Sequence, residues 1–461
     1  MLKRLPKFSR LITWCLSTLL VLGGAALLVF GDKPKAYQLP NGEPIGQRTV
    51  VNFWENWTGV EGQAMRDVVD KFNMSQNQIY INAVEVSTID IKTLISVAGG
   101  DPPDIVVLWS GDMDQFIAYN ALTPLDSLED KGVITPHTYV PYIWRLCAPF
   151  GRLYAVAATP EINMLYWNKV LFAAAGLDPD KPPQTIDELN AMSHRLTLYD
   201  SLGHLKQIGF IPMVPGWFNC MWGIYFGNDL YNYQTGYFNI DTSQQIAAYN
   251  WFSGFSKQLG FGAVDSFLSG SEQQFDSPLN PFMSGKVAME LIGPYFSNFI
   301  RRNNPELVGH YGVAPFPTSF GEPGDAYQGD CDLWVIPRGA GHLQAAMQVL
   351  AFFSEPDNIE YLCDKHCKPS PLMIVSKSFI ANNPNPYIQE FEQAMHAQNV
   401  QVFPPSPIWA RVKSELDDAA QRIWYGAPVE ETLKQEQTLI DQWTQEALQL
   451  QKLRAEQVVR R

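Results

Sequence analysis

The sequence predicts an α/β protein, and three stretches near its start carry the prediction. Residues 49–53 form a short run rich in β-branched side chains. Residues 61–73 follow with apolar side chains at the i, i+3, i+4 and i+7 positions of one helix face: Met65, Val68, Val69 and Phe72. Residues 104–108 contain an unbroken apolar run after Asp104, which is typical of a strand covered on both faces. Strand and helix therefore alternate, which favours a mainly parallel sheet flanked by helices.

The same patterns continue along the chain. Residues 79–86 read as a strand, and residues 115–119 resume a helix. Residues 343–354 form a helix that ends at the Glu355–Pro356 step, because a proline disfavours helical backbone in the residue before it. Residues 429–454 predict a long helix with one apolar stripe: Val429, Leu433, Ile440, Trp443, Ala447 and Leu450.

Composition sets the broad class of protein. The 461 residues are enough for about three domain-sized units. Hydrophobic residues make up 46% and charged residues 17%, so the chain can pack a core and is not a disordered protein. The net charge is −14. A nucleic-acid binder needs a basic surface, so we expect no nucleic-acid partner.

The N-terminus has the features of an export signal. Four basic residues precede position 11, and residues 11–30 are uncharged and long enough to cross a bilayer core of roughly 30 Å. A basic flank before an apolar run orients the N-terminus toward the cytoplasm. We therefore expect residues 1–31 to be a signal peptide or a membrane anchor helix and residues 32–47 to be a tether. The rest would lie in the periplasm or at the cell surface.

Five blocks resemble one known family. They comprise residues 101–128, 151–189, 282–299, 333–362 and 427–443. In this order they resemble the extracellular solute-binding proteins of ABC importers (family 1), the group that includes maltose-binding protein. The resemblance runs from about residue 49 to residue 446. It implies a binding protein without a cofactor, a soluble ligand, the permease subunits of an ABC importer as partners, and a monomer.

The resemblance also implies a two-lobed periplasmic-binding-protein fold of type II, with a hinge between the lobes. The chain would cross between lobes near residues 157–161 and again near residues 327–332. The N-terminal lobe would then comprise residues 48–157 plus 331–370. The C-terminal lobe would comprise residues 162–326 plus 371–446, followed by a helix end at 447–461.

Residues that follow predicted strands are candidates for ligand contact, because α/β sheets bind ligands at the carboxyl ends of their strands. Sugars need aromatic rings against their C–H faces and planar polar groups for their hydroxyls. Two loops supply both: Trp54, Glu55 and Trp57 in the first, and Trp109 and Asp112 in the second. The family resemblance also assigns sugar contact to the last pair. A core tryptophan and a helix cap at Asp112 remain the alternative.

The resemblance extends the candidate site across the hinge and the second lobe. Its further members are Glu161, Trp217, Phe218, Gly293, Tyr295, Asp330, Asp332, Trp409 and Arg411. We expect Trp109 and Trp217 to face each other across the cleft. Core packing is the alternative for the aromatic residues, and a solvated hinge carboxylate is the alternative for Glu161.

The acidic candidates predict the charge of the ligand. Glu55, Asp112, Glu161, Asp330 and Asp332 would make the cleft acidic, which disfavours an anionic ligand unless Arg411 reaches in. A neutral mono- or oligosaccharide, a polyol or an amino sugar fits. Two other functions stay open: a tethered sensor that presents its bound state to a membrane receptor, and a glycoside hydrolase, since carboxylate pairs are present.

Six cysteines are present, and Cys15 lies in the apolar run. Export permits disulfides, and we expect one within the set Cys331, Cys363 and Cys367. The last two flank His366, but no second pair of ligands is near in sequence, so we expect no metal site.

Overall fold

The computed structural model describes residues 37–269 and 276–459, with side chains to residue 453. The strands in these ranges are β1 Thr49–Glu55, β2 Ile79–Glu85, β3 Ile105–Trp109, β4 Ala155–Ile162, β5 Met164–Asn168, β6 Leu198–Tyr199, β7 Leu205–Phe210, β8 Val287–Ile292, β9 Tyr311–Ala314, β10 Tyr327–Val335 and β11 Val400–Gln401.

The α-helices in the same ranges are α1 Gly59–Ser75, α2 Ile89–Gly99, α3 Met113–Ala118, α4 Asp126–Asp130, α5 Pro141–Cys147, α6 Lys169–Ala174, α7 Ile186–Leu196, α8 Ser243–Leu259, α9 Phe261–Leu268, α10 Phe296–Asn303, α11 Leu343–Phe353, α12 Pro356–His366, α13 Lys377–Asn382, α14 Ile388–Met395, α15 Trp409–Trp424 and α16 Val429–Val459. Short 3-10 turns lie at Ser110–Asp112, Pro149–Gly151, Asn219–Phe226 and Pro305–Leu307.

The first sheet has the order β11-β10-β3-β1-β2, with β4 also paired to β10. Strands β1, β2 and β3 are parallel, as the alternation of strand and helix predicts. Helix α1 packs on them through the predicted face, and Met65, Val68, Val69 and Phe72 are all buried. The amphipathic pattern of residues 61–73 therefore correctly predicts both the helix and the face that it buries.

The second sheet, of order β6-β7-β8-β5-β9, corrects the expectation of mainly parallel pairing. Only β7 and β8 run parallel, whereas β5 is antiparallel to both of its neighbours. The reason is topological: β5 enters this sheet directly from the first one, so no crossover helix sets its direction.

The chain passes between the two sheets at two neighbouring places. Strand β4 ends at Ile162 in the first sheet, and β5 begins two residues later in the second sheet. The chain returns through β10, which lies antiparallel to β4 with Asp330 opposite Glu161. Two adjacent strands therefore connect the lobes and form a natural hinge.

The later boundary differs from the expectation. Strand β11 pairs with β10 in the first sheet. Buried residues from Leu372 to Val402 pack in a continuous core that includes that sheet and also Tyr166 and Tyr311 of the second sheet. Phe403 is the first residue of this region in the second core. The structure therefore puts β11, which lies within the expected second lobe of residues 371–446, in the first sheet.

The described part of the expected tether, residues 37–47, is not a free linker. Its Tyr37 ring lies 5.5 Å from the Tyr80 ring on β2, and the Tyr80 hydroxyl donates to the Gln38 carbonyl at 3.2 Å. The predicted signal or anchor, residues 1–31, lies outside the described residues. Within residues 37–269 and 276–459 no helix has the length and apolar character needed to cross a bilayer.

The cysteines contradict the expected disulfide. All five in the described ranges are buried thiols without a disulfide. The Cys331 sulfur lies 3.1 Å from the Asp332 carbonyl oxygen, and the Cys363 sulfur lies 3.8 Å from the Ala158 carbonyl oxygen. The thiols on β10 and α12 thus point at backbone acceptors instead of at each other.

Candidate binding cleft

A cavity of about 280 Å³ lies between the lobes. The first lobe lines it with residues 56–59, Glu61, Glu161, Asp332 and Lys368. The second lobe adds Trp217, Asp276, Tyr295, Phe299 and Arg302. The cavity therefore meets both hinge strands and the loop after β1, as expected for an α/β sheet that binds at its strand ends.

Contacts with Glu55 and His366 hold the loop after β1 in place. The Trp57 amide donates to the Glu55 carboxylate at 2.7 Å, and burial raises the pKa of Glu55 to about 7. The His366 ring lies edge-on to the Trp57 ring at 5.3 Å. Burial holds the pKa of His366 well below its ordinary value, so the ring is neutral. Glu55 thus supports the loop and lies outside the cavity lining.

Lys368 is the centre of a buried ionic cluster at the hinge. Its Nζ lies 2.9 Å from Glu161 Oε1 and 3.2 Å from Asp332 Oδ2. It also donates to Thr159 Oγ1 at 3.1 Å, and the Thr159 hydroxyl donates to Asp332 at 2.9 Å. Burial opposes the charge of Lys368, but the carboxylates of Glu161 and Asp332 hold its pKa above the ordinary value.

Aromatic rings from both lobes line the cavity. Trp57 is 6% exposed and Trp217 is 38% exposed. Tyr295 lies 5.7 Å, ring centroid to nitrogen, from Lys368 Nζ. A Cβ at Gly293 would come within 2.5 Å of the Tyr295 ring, so only glycine lets the ring lie across this turn.

The structure brings together five of the predicted residues: Trp57, Glu161, Trp217, Tyr295 and Asp332. Their contact with a ligand stays a prediction. The sequence reasoning missed Lys368 and Arg302, which follow no strand, and Glu61, which lies in the first turn of α1. One signal in the sequence could have indicated Glu61: it is an acidic residue at the start of a predicted helix, and this helix follows an aromatic loop.

The expected pair of Trp109 and Trp217 does not form. The Trp109 ring packs edge-on against Phe403 at 4.8 Å, Phe403 stacks on Phe218 at 6.1 Å, and Phe218 lies 6.4 Å from Trp217. Two phenylalanines therefore separate the tryptophans. Trp57, not Trp109, shares the cavity with Trp217.

Asp112 and Asp330 also lie outside the cavity lining. Asp112 is half-buried at the start of α3, and burial raises its pKa to about 6, against the charge of Lys413. Asp330 is fully buried behind Glu161, and burial holds its pKa well above the ordinary range. Neither carboxylate oxygen of Asp330 has a hydrogen-bond partner among the described residues. The nearby Trp109 side chain lowers the pKa of Asp330 and so offsets a part of the rise that burial causes.

Three further candidates serve packing. Trp409 is 1% exposed in the second core, where it lies between Phe238 at 6.2 Å and Phe403 at 5.3 Å. The Arg411 guanidinium lies 3.6 Å from the centroid of the Trp443 ring on α16. Trp54 packs, partly buried, against the first core. The described residues contain no cluster of metal-binding side chains.

The two lobes, the paired hinge strands and the cleft between the lobes define a solute-binding protein. The family model for bacterial extracellular solute-binding proteins matches residues 56–360. The chain belongs to this family, whose members capture solutes for transport. It is therefore a binding protein and not an enzyme, and this removes the glycoside hydrolase alternative.

Individual relatives agree on the class of protein. The chain is 21% identical over 420 residues to the sn-glycerol-3-phosphate-binding periplasmic protein UgpB of Pectobacterium atrosepticum, covering 82% of this chain and 87% of that one. It superposes on CpMnBP1 with mannotriose bound with a TM-score of 0.75, at 27% identity over 85% of this chain and 99% of that one. The sugar-binding protein MalE of Xanthomonas citri gives a TM-score of 0.71 at 18% identity, over 88% and 99% of the two chains.

Proposed function

We propose that the protein is the extracytoplasmic binding component of an ABC importer and that it captures a neutral carbohydrate in the cleft between its lobes. The observation that carries the proposal is the cavity itself. Aromatic rings from opposite lobes, Trp57 and Trp217, line one space together with the carboxylates of Glu161 and Asp332. Rings cover the apolar faces of a sugar, and carboxylates accept hydrogen bonds from its hydroxyls.

Size and similarity support a small saccharide. The cavity, about 280 Å³, lies near the lower end of ligand pockets, which span roughly 300–1,000 Å³. The solved structure of CpMnBP1 holds mannotriose, which makes short mannosides the first ligands to test.

Glycerol phosphate is a second candidate, because several relatives are named for it. Arg302 beside the N-terminus of α1 would favour a phosphate. The rest of the lining opposes it: four carboxylates face two cations, and Lys368 is already paired with two of the carboxylates. A neutral ligand avoids this repulsion, so we favour the carbohydrate.

The proposal places the protein outside the cytoplasm, where a permease receives the bound solute. Residues 1–31 would direct export and, if retained, anchor the chain to the membrane. A sensor that passes its bound state to a membrane receptor would use the same cleft. Deletion of the gene for this protein would abolish uptake of the sugar only if the protein serves import.

A thermal-shift screen tests the ligand class. The chain from residue 37 would be melted with mannobiose, mannotriose, maltose, glucosamine and sn-glycerol 3-phosphate, each in excess. A ligand that binds only the folded state raises the melting temperature. We expect a neutral saccharide to raise it, and the Trp217→Ala variant to lose most of that shift. A shift with sn-glycerol 3-phosphate alone would overturn the proposal.

A further inference from the structure

One carboxylate oxygen of Glu61 is buried at the cavity without a hydrogen-bond donor among the described residues. Glu61 is the third residue of α1, and its side chain lines the cavity. Its Oε1 atom is buried and has no hydrogen-bond partner among the described residues. A buried acceptor without a donor costs free energy. A group that completes the site therefore gains by donating a hydrogen bond here.

The backbone of Glu61 is fixed, so the side chain cannot move out of the cavity with its loop. The His366 ring donates from Nε2 to the Glu61 carbonyl at 3.2 Å. The Gly62 amide donates to the Thr58 carbonyl at 3.2 Å, which closes the first turn of α1.

The cations near Glu61 are already engaged elsewhere. Lys368 lies between Glu161 and Asp332 on the hinge strands. Arg302 reaches in from the second lobe, where its guanidinium lies 5.6 Å from the Phe299 ring centroid. Its Nη1 would lie 3.2 Å from a Cβ at Gly59, at the start of α1. Burial raises the pKa of Glu61 to about 7; the charges of Asp332 and Glu161 add to this rise, and the charges of Lys368 and Arg302 oppose it. The side chain is therefore a charged carboxylate above roughly pH 8.

We propose that Glu61 determines the specificity of the cleft: it accepts a hydrogen bond from a ligand hydroxyl and repels phosphate and carboxylate groups. This inference rests on the proposed function. It states that one side chain, Glu61, makes this cleft reject the anionic polyols that a similar cleft could bind. A ligand hydroxyl supplies the missing donor, whereas a phosphate would bring like charge against a fixed carboxylate.

The test compares Glu61→Gln with the wild type by calorimetric titration of mannotriose and of sn-glycerol 3-phosphate at about pH 8.5, where the Glu61 carboxylate is charged. Glutamine keeps the shape and one acceptor but removes the charge. We expect the variant to bind mannotriose within about tenfold of the wild type, since a neutral acceptor is weaker than a charged one. We expect its affinity for sn-glycerol 3-phosphate to rise at least tenfold. Glu430→Gln, an exposed position on α16, is the matched control and should change neither affinity.

The outcomes separate the two proposals. Absence of mannoside binding by the wild type, together with binding of sn-glycerol 3-phosphate, would refute the neutral-sugar cleft whatever the variant does. Mannotriose binding by the wild type with continued rejection of sn-glycerol 3-phosphate by Glu61→Gln would overturn only the role of Glu61. Glu61→Asp keeps the charge but withdraws the carboxylate, so it should lose mannotriose affinity and still reject the phosphate. If Glu61→Gln does not fold, an unchanged mannotriose affinity in Glu61→Asp overturns the role.

Discussion

Glu290 shows how one buried side chain makes stability depend on pH. It lies on β8, is 2% exposed, and neither carboxylate oxygen has a hydrogen-bond partner among the described residues. Burial raises its pKa from 4.5 to about 8. The folded protein therefore binds an extra proton between about pH 5 and pH 8, and this residue makes stability fall as pH rises through that window.

Glu290→Gln imitates the protonated side chain at every pH. We expect equal stability of variant and wild type at pH 5, and a variant more stable by on the order of a few kcal/mol at pH 9. Urea unfolding at the two pH values measures the difference. A difference that does not change with pH would show that Glu290 is solvated or paired in solution.

Trp409 and Trp217 predict opposite results for the same substitution. Trp409 is 1% exposed within the second core, so Trp409→Ala should cost about 3–5 kcal/mol of unfolding free energy. Trp217 is 38% exposed in the cleft, so Trp217→Ala should cost much less and should weaken sugar binding instead. Urea unfolding measures the loss of unfolding free energy in each variant. Equal losses in the two variants would show that Trp217 is a core residue.

At the scale of elements, the hinge depends on one buried lysine. Lys368 pairs with Glu161 on β4 and Asp332 on β10, and its side chain is 3% exposed. Removal of one partner leaves buried carboxylates without a counter-charge, so Lys368→Met should destabilise the protein by about 3–5 kcal/mol. The exposed pair of Lys181 and Asp178, at 3.3 Å, is the control: Lys181→Met should cost little stability, because solvent screens the pair. Similar losses in urea unfolding would contradict the buried cluster.

The elements also show what the sequence could predict. Helix α1 and strands β1 to β3 could be predicted from the spacing of their apolar residues, because each element buries one face or both faces against a single core. The direction of β5 and the place of β11 do not, because both are set by where the chain crosses between lobes. A two-residue strand such as β11 carries no periodic signal at all.

In the whole molecule, some residues of the candidate site could be predicted from the sequence, and others depend on how distant segments pack together. Trp57 was predictable because an aromatic residue in a loop after a strand suits a sugar cleft, and Trp217 and Tyr295 were predictable from the family resemblance. Lys368 and Arg302 were not, because Lys368 reaches the cavity only through the packing of α12 on α1, and Arg302 comes from α10 in the second lobe. Trp109 was misplaced for the same reason, since the second lobe covers its ring with Phe403.

Calorimetric titration of the chain from residue 37 with mannotriose, in the wild type and in Trp217→Ala, tests the central claim most directly. The wild type should bind one mannotriose per chain. The variant should bind about tenfold more weakly or worse, because a ring contact is worth ~1–2 kcal/mol and about 1.4 kcal/mol is a factor of ten. Equal affinity in both proteins, or heat from sn-glycerol 3-phosphate and none from mannotriose, would contradict a carbohydrate cleft lined by Trp217.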